Sequence, residues 1–221
     1  MIRRGWILAL AVVLFVPLAV SGGQKKIPKG KTWTWSFAAD TLGREPAESF
    51  AWGGRWEVAA DSAAEGDTMP AARHLRQTSV DEGEGFHCIQ FRKPILRDLV
   101  VSVRFRILSG EMDPTAGIAL QLDSKGRNGY VVRVRKDRGD VVAHYIIYGK
   151  RRDIKFAEIE SPAAGEWHHL QAERDGSLLI VSYDGVERIR VRDERFREGA
   201  VGLWTEDDTL VEFRDLEVTS R

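Results

Sequence analysis

Residues 167–218 read WHHLQAERDGSLLIVSYDGVERIRVRDERFREGAVGLWTEDDTLVEFRDLEV, and the alternation in this stretch decides the fold class. Two Asp-Gly pairs, Asp175-Gly176 and Asp184-Gly185, punctuate runs rich in Val, Ile, Leu and Tyr. Asp-Gly between apolar-alternating runs is a strong hairpin signal, because both central residues of a type I′ turn need positive φ. Between the pairs, Leu178, Ile180 and Ser182 alternate with Leu179, Val181 and Tyr183. That period of two sends one set to each face of a sheet. Beyond a charged turn at 193–198, residues 199–205 and 210–218 give two further strands. The stretch predicts an antiparallel meander.

The same pattern continues toward the N-terminus. In 99–108, Val101, Val103, Phe105 and Ile107 share one face, and Ser102, Arg104 and Arg106 share the other. In 116–123, Ile118, Leu120 and Leu122 are expected inward, with Gln121 and Asp123 outward. Asn128-Gly129 starts a strand in which Tyr130, Val132 and Val134 oppose Arg133 and Arg135, and 141–148 and 154–159 follow after short turns. Earlier, 33–37 reads as the first strand and 52–58 as the second, with 40–51 and 59–72 as loops. Segments 74–77 and 86–92 flank the acidic turn 81–85. No window carries a helical apolar stripe. About a dozen strands with short Gly-containing turns imply two packed antiparallel sheets, an all-β sandwich.

At 221 residues and 43% hydrophobic, the chain is long enough to bury one full core. Met1 and the basic Arg3-Arg4 precede an apolar run at 6–20, which ends in Ala19-Val20-Ser21-Gly22-Gly23. Basic start, apolar centre and small-residue exit are the parts of a secretory signal peptide. The run contains Pro17 and is shorter than the roughly 20 residues that span a bilayer. Cleavage near 21–23 is expected, the alternative being an uncleaved membrane anchor. The domain plan is therefore a leader at 1–23, a polar linker at 24–32 and a sandwich at 33–221. The protein is expected to be exported, to a periplasm or the exterior.

Basic and acidic residues number 33 each, and removing Arg3 and Arg4 with the leader leaves 31 against 33. A nucleic-acid partner needs a net basic footprint, so that class is excluded. Cys88 is the only cysteine, which rules out an internal disulfide, and its alternating neighbourhood places it in a core.

Several phrases resemble one family. Residues 116–121 followed by 128–133 are similar to a hairpin of the concanavalin A-like (laminin-G-like) jelly-roll sandwiches. Residues 165–170, Tyr183-Asp184-Gly185, 199–205 and 213–216 look like its later strands. Order and spacing resemble bacterial secreted domains of the 3-keto-disaccharide hydrolase and family 16 glycosidase-like type, over most of 33–219. The resemblance implies a two-sheet jelly roll that hosts lectins, hydrolases and interaction modules alike. Family 16 enzymes carry Glu-x-Asp-x-Glu on one strand, so that three carboxylates line one side. Here only Glu158 and Glu160 have that spacing, Pro162 follows, and solvent-facing charges are the expectation. Arg214 stands where related domains often show a second acid before Asp215. Asp40 and Asp215 resemble positions holding a structural calcium in some such sandwiches, although calcium wants six to eight oxygen ligands. Turn capping by Asp40 and a surface position for Asp215 are the competing reading.

His168 and His169 are adjacent on a strand, point to opposite faces, and cannot ligate one metal together. Trp56 and Trp204 could stack on a sugar ring, but core or rim packing is the expectation. The strongest candidate is a face. Arg104, Arg106, Gln121, Asp123, Arg133 and Arg135 all oppose the apolar residues of their own strands, with Tyr145 or His144 beside them. If these strands are neighbours, they form a guanidinium-rich surface whose planar donors suit hydroxyls and carboxylates. The competing reading is a solvated face balanced by acids. The sequence thus leads to an exported, non-catalytic binding module for a glycan or an extracellular protein partner. The alternatives are a glycoside-processing hydrolase or lyase and a structural protein of the cell envelope.

Overall fold

The computed structural model describes residues 30–61, 71–79 and 85–221; the expected leader, most of the linker and most of the acidic turn lie outside them. Fifteen strands follow in order: β1 (Thr32–Trp35), β2 (Ser49–Ala51), β3 (Trp56–Ala60), β4 (Arg73–Gln77), β5 (Phe86–Phe91), β6 (Leu99–Ser109), β7 (Thr115–Leu122), β8 (Gly129–Arg135), β9 (Asp140–Ile147), β10 (Lys150–Glu158), β11 (His168–Asp175), β12 (Leu178–Tyr183), β13 (Val186–Arg192), β14 (Ala200–Glu206) and β15 (Leu210–Ser220). They form two antiparallel sheets. One has eight strands in the order β13-β12-β11-β6-β15-β4-β3, with β1 also paired to β15; the other runs β10-β9-β8-β7-β14-β5-β2. The protein is an all-β jelly-roll sandwich.

The inward-facing residues are those that alternation selects. Val101, Val103, Phe105 and Ile107 of β6 face Ile118 and Leu120 of β7, Tyr130 and Val132 of β8 and Leu203 of β14, all buried in one core. Truncating one of these large residues to Ala costs roughly 2–5 kcal/mol. The turn at Asp184-Gly185 has φ of 47° and 77°, as a type I′ hairpin demands. At the preceding hairpin Asp175 itself pairs with Leu178, so the two central residues are Gly176 and Ser177.

Three expectations need correction. The meander stops at β13. The charged segment 193–199 then carries the chain to the other sheet, where β14 lies between β7 and β5, and β15 returns to the first. Buried Asp193 pins this corner: its carboxylate accepts from Tyr130 Oη at 2.6 Å and its carbonyl from Arg174 Nη2 at 3.1 Å. The expected second strand at 52–58 begins only at Trp56, as β3, after Gly53-Gly54, both with positive φ, and the expected loop 40–51 ends in a short strand, β2, in the other sheet. Finally, strand alternation breaks at Gln121, whose φ is 51°, where the register between β7 and β14 shifts. A bulge of this kind turns the following side chain to the other face.

Candidate functional site

The outer face of the seven-stranded sheet holds a second apolar cluster. Register sets Val131 beside His144 and Arg133 beside Val142 on one side, and the same two residues beside Ala119 and Gly117 on the other. Trp204 lies beside Gly117 and Cys88, and Glu206 beside Phe86. Gly117 has no room for a side chain, since a Cβ there would come 2.7 Å from the Val132 carbonyl. Cys88, Ala119, Val131, Ile146 and Trp204 pack together, with Trp52 and Phe86 against them. Trp52 meets Trp204 edge-on at 5.6 Å, and Phe86 meets it at 5.0 Å. Burial without a second sheet to cover them sets these residues apart from the main core.

A charged knot sits on this aromatic floor. Glu206 is 2% exposed, and its carboxylate accepts from Trp204 Nε1 at 2.9 Å and from Arg151 Nη1 at 2.9 and 2.8 Å. It also accepts from Arg133 Nη1, which donates to Asp113 Oδ2 at 3.4 Å as well. Beside the knot opens a cavity of about 420 Å³, lined by Phe86, Asp113, Arg138, Arg151, Glu206 and Asp207. Burial pulls the Arg133 guanidinium below its ordinary range, with Arg151 adding to the effect and Glu206 and Asp113 opposing it. Burial, reinforced by the charges of Arg133, Arg151 and Arg135, holds His144 well below the usual histidine range, so its imidazole is neutral at pH 7.

Among the described residues, both nitrogens of His144, Nε of Arg133, Nε1 of Trp52 and Oδ1 of Asp113 are buried without a hydrogen-bond partner. Each such group costs about 1–3 kcal/mol. Buried polar groups are normally paired; of these, Asp113 lines the cavity, and Arg133 and His144 lie on the same sheet face.

The sequence-chosen residues scatter over two sheets. Arg104 and Arg106 lie on β6 of the eight-stranded sheet, so the single guanidinium-rich face divides in two, because sheet order is set by long-range pairing. Arg106 there binds Glu212 and stacks on Trp167 at 4.6 Å; Arg104 is exposed. Gln121 is buried by the bulge and donates from Nε2 to the carbonyls of Arg97 and Arg197, both at 2.9 Å. Asp123 organises the turn after β7, accepting from the amides of Lys125 and Arg127 at 2.9 and 3.0 Å and from the Asn128 side chain. Burial alone would raise its pKa; those hydrogen bonds, led by Arg127, outweigh it and lower it. Arg135 forms a two-pronged pair with Asp140. Tyr145 points toward the main core with Arg195 4.2 Å over its ring, so of the two residues weighed beside the face it is His144 that lies on it. Only Arg133 of the sequence set belongs to the knot.

Each of the two calcium candidates has a protein partner. Asp40 Oδ1 caps the Ala47 amide at 2.8 Å, and its carbonyl accepts from Arg73. Asp215 is exposed beside Arg214, at 3.6 Å. No group of three or more Asp, Glu, His or Cys is gathered for a metal among the described residues. His168 and His169 do face opposite ways; His168 Nδ1 lies 2.8 Å from both Asp184 and Tyr183. Glu158 and Glu160 are exposed, Trp56 is in the main core, and Cys88 is buried, its thiol pushed up by burial.

Asp113, Arg138, Arg151, Glu206 and Asp207 escaped sequence reading. One signal was available: Gly202, Trp204 and Glu206 alternate with Val201, Leu203 and Thr205, which puts the tryptophan and the acid on one face. Carboxylates can accept from hydroxyls and guanidinium forks can donate to them, and Phe86 adds a partly exposed aromatic ring beside them. That combination suits a polyhydroxylated ring.

No protein-family model and no curated protein matches the sequence. Solved structures do resemble it. The carbohydrate binding module CBM66 from Bacillus subtilis superposes with a TM-score of 0.64 at 18% identity, covering 78% of this chain and 96% of that one. The exoplasmic/lumenal domain of VIP36, solved in a Ca2+/Man3GlcNAc-bound form, gives 0.55 at 12% identity, with 75% and 83% covered. A Bacillus subtilis protein of unknown function with a galectin-like fold gives 0.52 at 12% identity, with 75% and 90% covered. At these identities the likeness is one of fold, the two-sheet antiparallel β-sandwich.

Proposed function

We propose that this chain is an exported glycan-binding module whose cleft is the outer face of the seven-stranded sheet. The observation that carries the reading is the open cavity in which Glu206, Asp113 and Arg151 converge beside the ring of Phe86, with Trp204 buried behind them. A pyranose needs both halves of that arrangement, a flat apolar surface and convergent acceptors and donors. The likeness to CBM66 and to the VIP36 domain supports it, since those structures are a carbohydrate binding module and a domain solved with Man3GlcNAc. The set that we assign to binding is Phe86, Asp113, Arg133 and Glu206. Export rests on the leader-like sequence at 1–23. No helix among the described residues is long and apolar enough to cross a membrane.

An array of neutral and acidic oligosaccharides, probed with the protein in calcium and in chelator, tests the reading. Saturable binding that Glu206→Gln removes is expected. Binding that survives Glu206→Gln but falls with Arg104→Ala would move the site to the other sheet, and silence throughout would favour a protein partner. A loss in chelator would bring Asp40 and Asp215 back as calcium ligands.

One observation favours a second reading. Asp113 and Glu206 share the same Arg133 nitrogen, so two carboxylates lie close together at the cavity, as glycoside-cleaving enzymes require. Incubating each array hit and looking for cleavage products separates the two readings; products lost in both Asp113→Asn and Glu206→Gln would make the protein a hydrolase.

A further inference from the structure

Arg151 reaches Glu206 from an unexpected distance. It stands on β10 and Glu206 on β14, with β9, β8 and β7 between them. Four strand spacings amount to roughly 19 Å across a flat sheet, further than two side chains can bridge. The outer face must therefore be concave, and the Arg151 side chain lies across the hollow. Its guanidinium also sits 5.5 Å over the ring of Phe86, on a strand further still. By register, the line from Arg151 to Glu206 passes over His144 on β9, Arg133 on β8 and Gly117 on β7.

The residues along that line are those left with unmet hydrogen-bonding capacity. His144 is 0% exposed with both nitrogens unpartnered, and Arg133 is 1% exposed with Nε unpartnered. Next to them, Gly117 and Ala119 leave the sheet surface without bulk. Arg151 differs from its neighbours in being one-third exposed and in holding only Glu206, so it can swing outward without unpairing a buried arginine. Glu206 would keep Trp204 and Arg133 as donors when it leaves.

We infer that Arg151 is a displaceable clasp, and that the ring of a neutral glycan takes its place over Gly117 and Trp204. In that position hydroxyl groups donate to Glu206 in place of the guanidinium, and further hydroxyls pair with the imidazole of His144 and with Nε of Arg133. An anionic partner is disfavoured in this inner position because the remaining knot sets the single cation Arg133 against two carboxylates, Glu206 and Asp113. The inference rests on the glycan reading above for its ligand, and on the geometry of Arg151 alone for the clasp.

Two measurements separate these dependencies. Without ligand, deuterium uptake at the C2 carbon of each histidine, read by mass spectrometry, reports access to the imidazole. Uptake at His144 should be several-fold faster in Arg151→Ala than in wild type, with His168 unchanged as an internal control. With ligand, gluco- and manno-oligosaccharides titrated by calorimetry should bind Arg151→Ala several-fold more tightly than wild type, and His144→Phe should remove that gain. Arg151→Met keeps the apolar stem over Phe86 but loses the fork, and serves should the alanine variant unfold. Unchanged uptake at His144 in both variants would overturn the clasp, and so would abolished oligosaccharide binding in both. Faster uptake with no oligosaccharide bound by any of the proteins would uphold the clasp and sink the glycan reading.

Discussion

Each sheet carries a buried glutamate knotted to arginines on its outer face, and the two knots are built in opposite ways. On the eight-stranded sheet Glu212 of β15 binds Arg76 of β4 and Arg106 of β6, the strands on either side of it and in direct register. His74 Nε2 adds a third neighbour at 3.0 Å, and Trp167 lies between Arg106 and Arg214 as a cover. On the seven-stranded sheet Glu206 draws Arg133 from two strands away and Arg151 from four. The local knot closes on itself, with one unpartnered buried atom among the three residues around Glu212, His74 Nδ1. The long-range knot leaves a cavity beside it and unpartnered groups beneath it. Local pairing finishes a surface, whereas pairing across a hollow leaves polar capacity for something else to fill.

If that contrast holds, the two glutamates will fail differently. Glu212→Ala strands Arg76 and Arg106 beside a buried gap, and should cost about 3–5 kcal/mol of stability, the range for removing one partner of a buried ion pair. Thermal unfolding reads this, while oligosaccharide affinity of the folded protein should not move. A loss of affinity without a loss of stability would reverse the assignment of the two faces.

Acid should expose the same knot in the wild type. Burial by itself pushes the Glu212 carboxyl up, but the hydrogen bonds from His74, Arg106 and Arg76 outweigh it and bring it down to about 2. A carboxyl lowered by folding stabilises the native state above its unfolded value, and that stability fades as pH falls from about 4.5 toward 2. The loss is on the order of 3 kcal/mol, and denaturant midpoints across that range should slope down in wild type and flatten in Glu212→Gln. Equal slopes in the two proteins would place the acid-sensitive group elsewhere.

Glu206→Gln keeps the shape of the acceptor and removes its charge. We expect oligosaccharide affinity to fall at least about tenfold, worth about 1.4 kcal/mol, because the ligand and Arg133 both lose a charged acceptor. The stability cost should be smaller than that of Glu212→Ala. An unchanged affinity would remove the carboxylate from the binding set.

These differences divide what the sequence can carry from what it cannot. Alternation along β6 and β12 is a local property, and it separates core from surface there. The partition into sheets is not local: β6 and β7 follow each other in sequence yet belong to different sheets, so Arg104 and Arg106 could not be placed with Arg133 or apart from it. Gln121 was misplaced for another reason, because a bulge reverses the alternation within a strand whose composition shows no break. Glu206 stood one residue past the expected end of its strand, although its spacing from Trp204 already put both on one face. Arg151 was the least legible, since its role depends on the curvature of five strands.

The smallest expected effect is also the sharpest test of the division between faces. Arg104 shares a sheet face with Arg106 and Arg214, yet it is exposed and no ion pair among the described residues includes it. Its register neighbours are His169 and Arg214, both of which would gain room if it were shortened. Arg104→Ala should therefore change stability by no more than about 0.5 kcal/mol, as for surface positions without a specific partner. It should leave oligosaccharide affinity as it is in wild type. A clear loss of binding in this variant, with Glu206→Gln unaffected, would mean that the crowded arginines of the eight-stranded sheet are the recognition surface and that the hollow of the other sheet is only a second core.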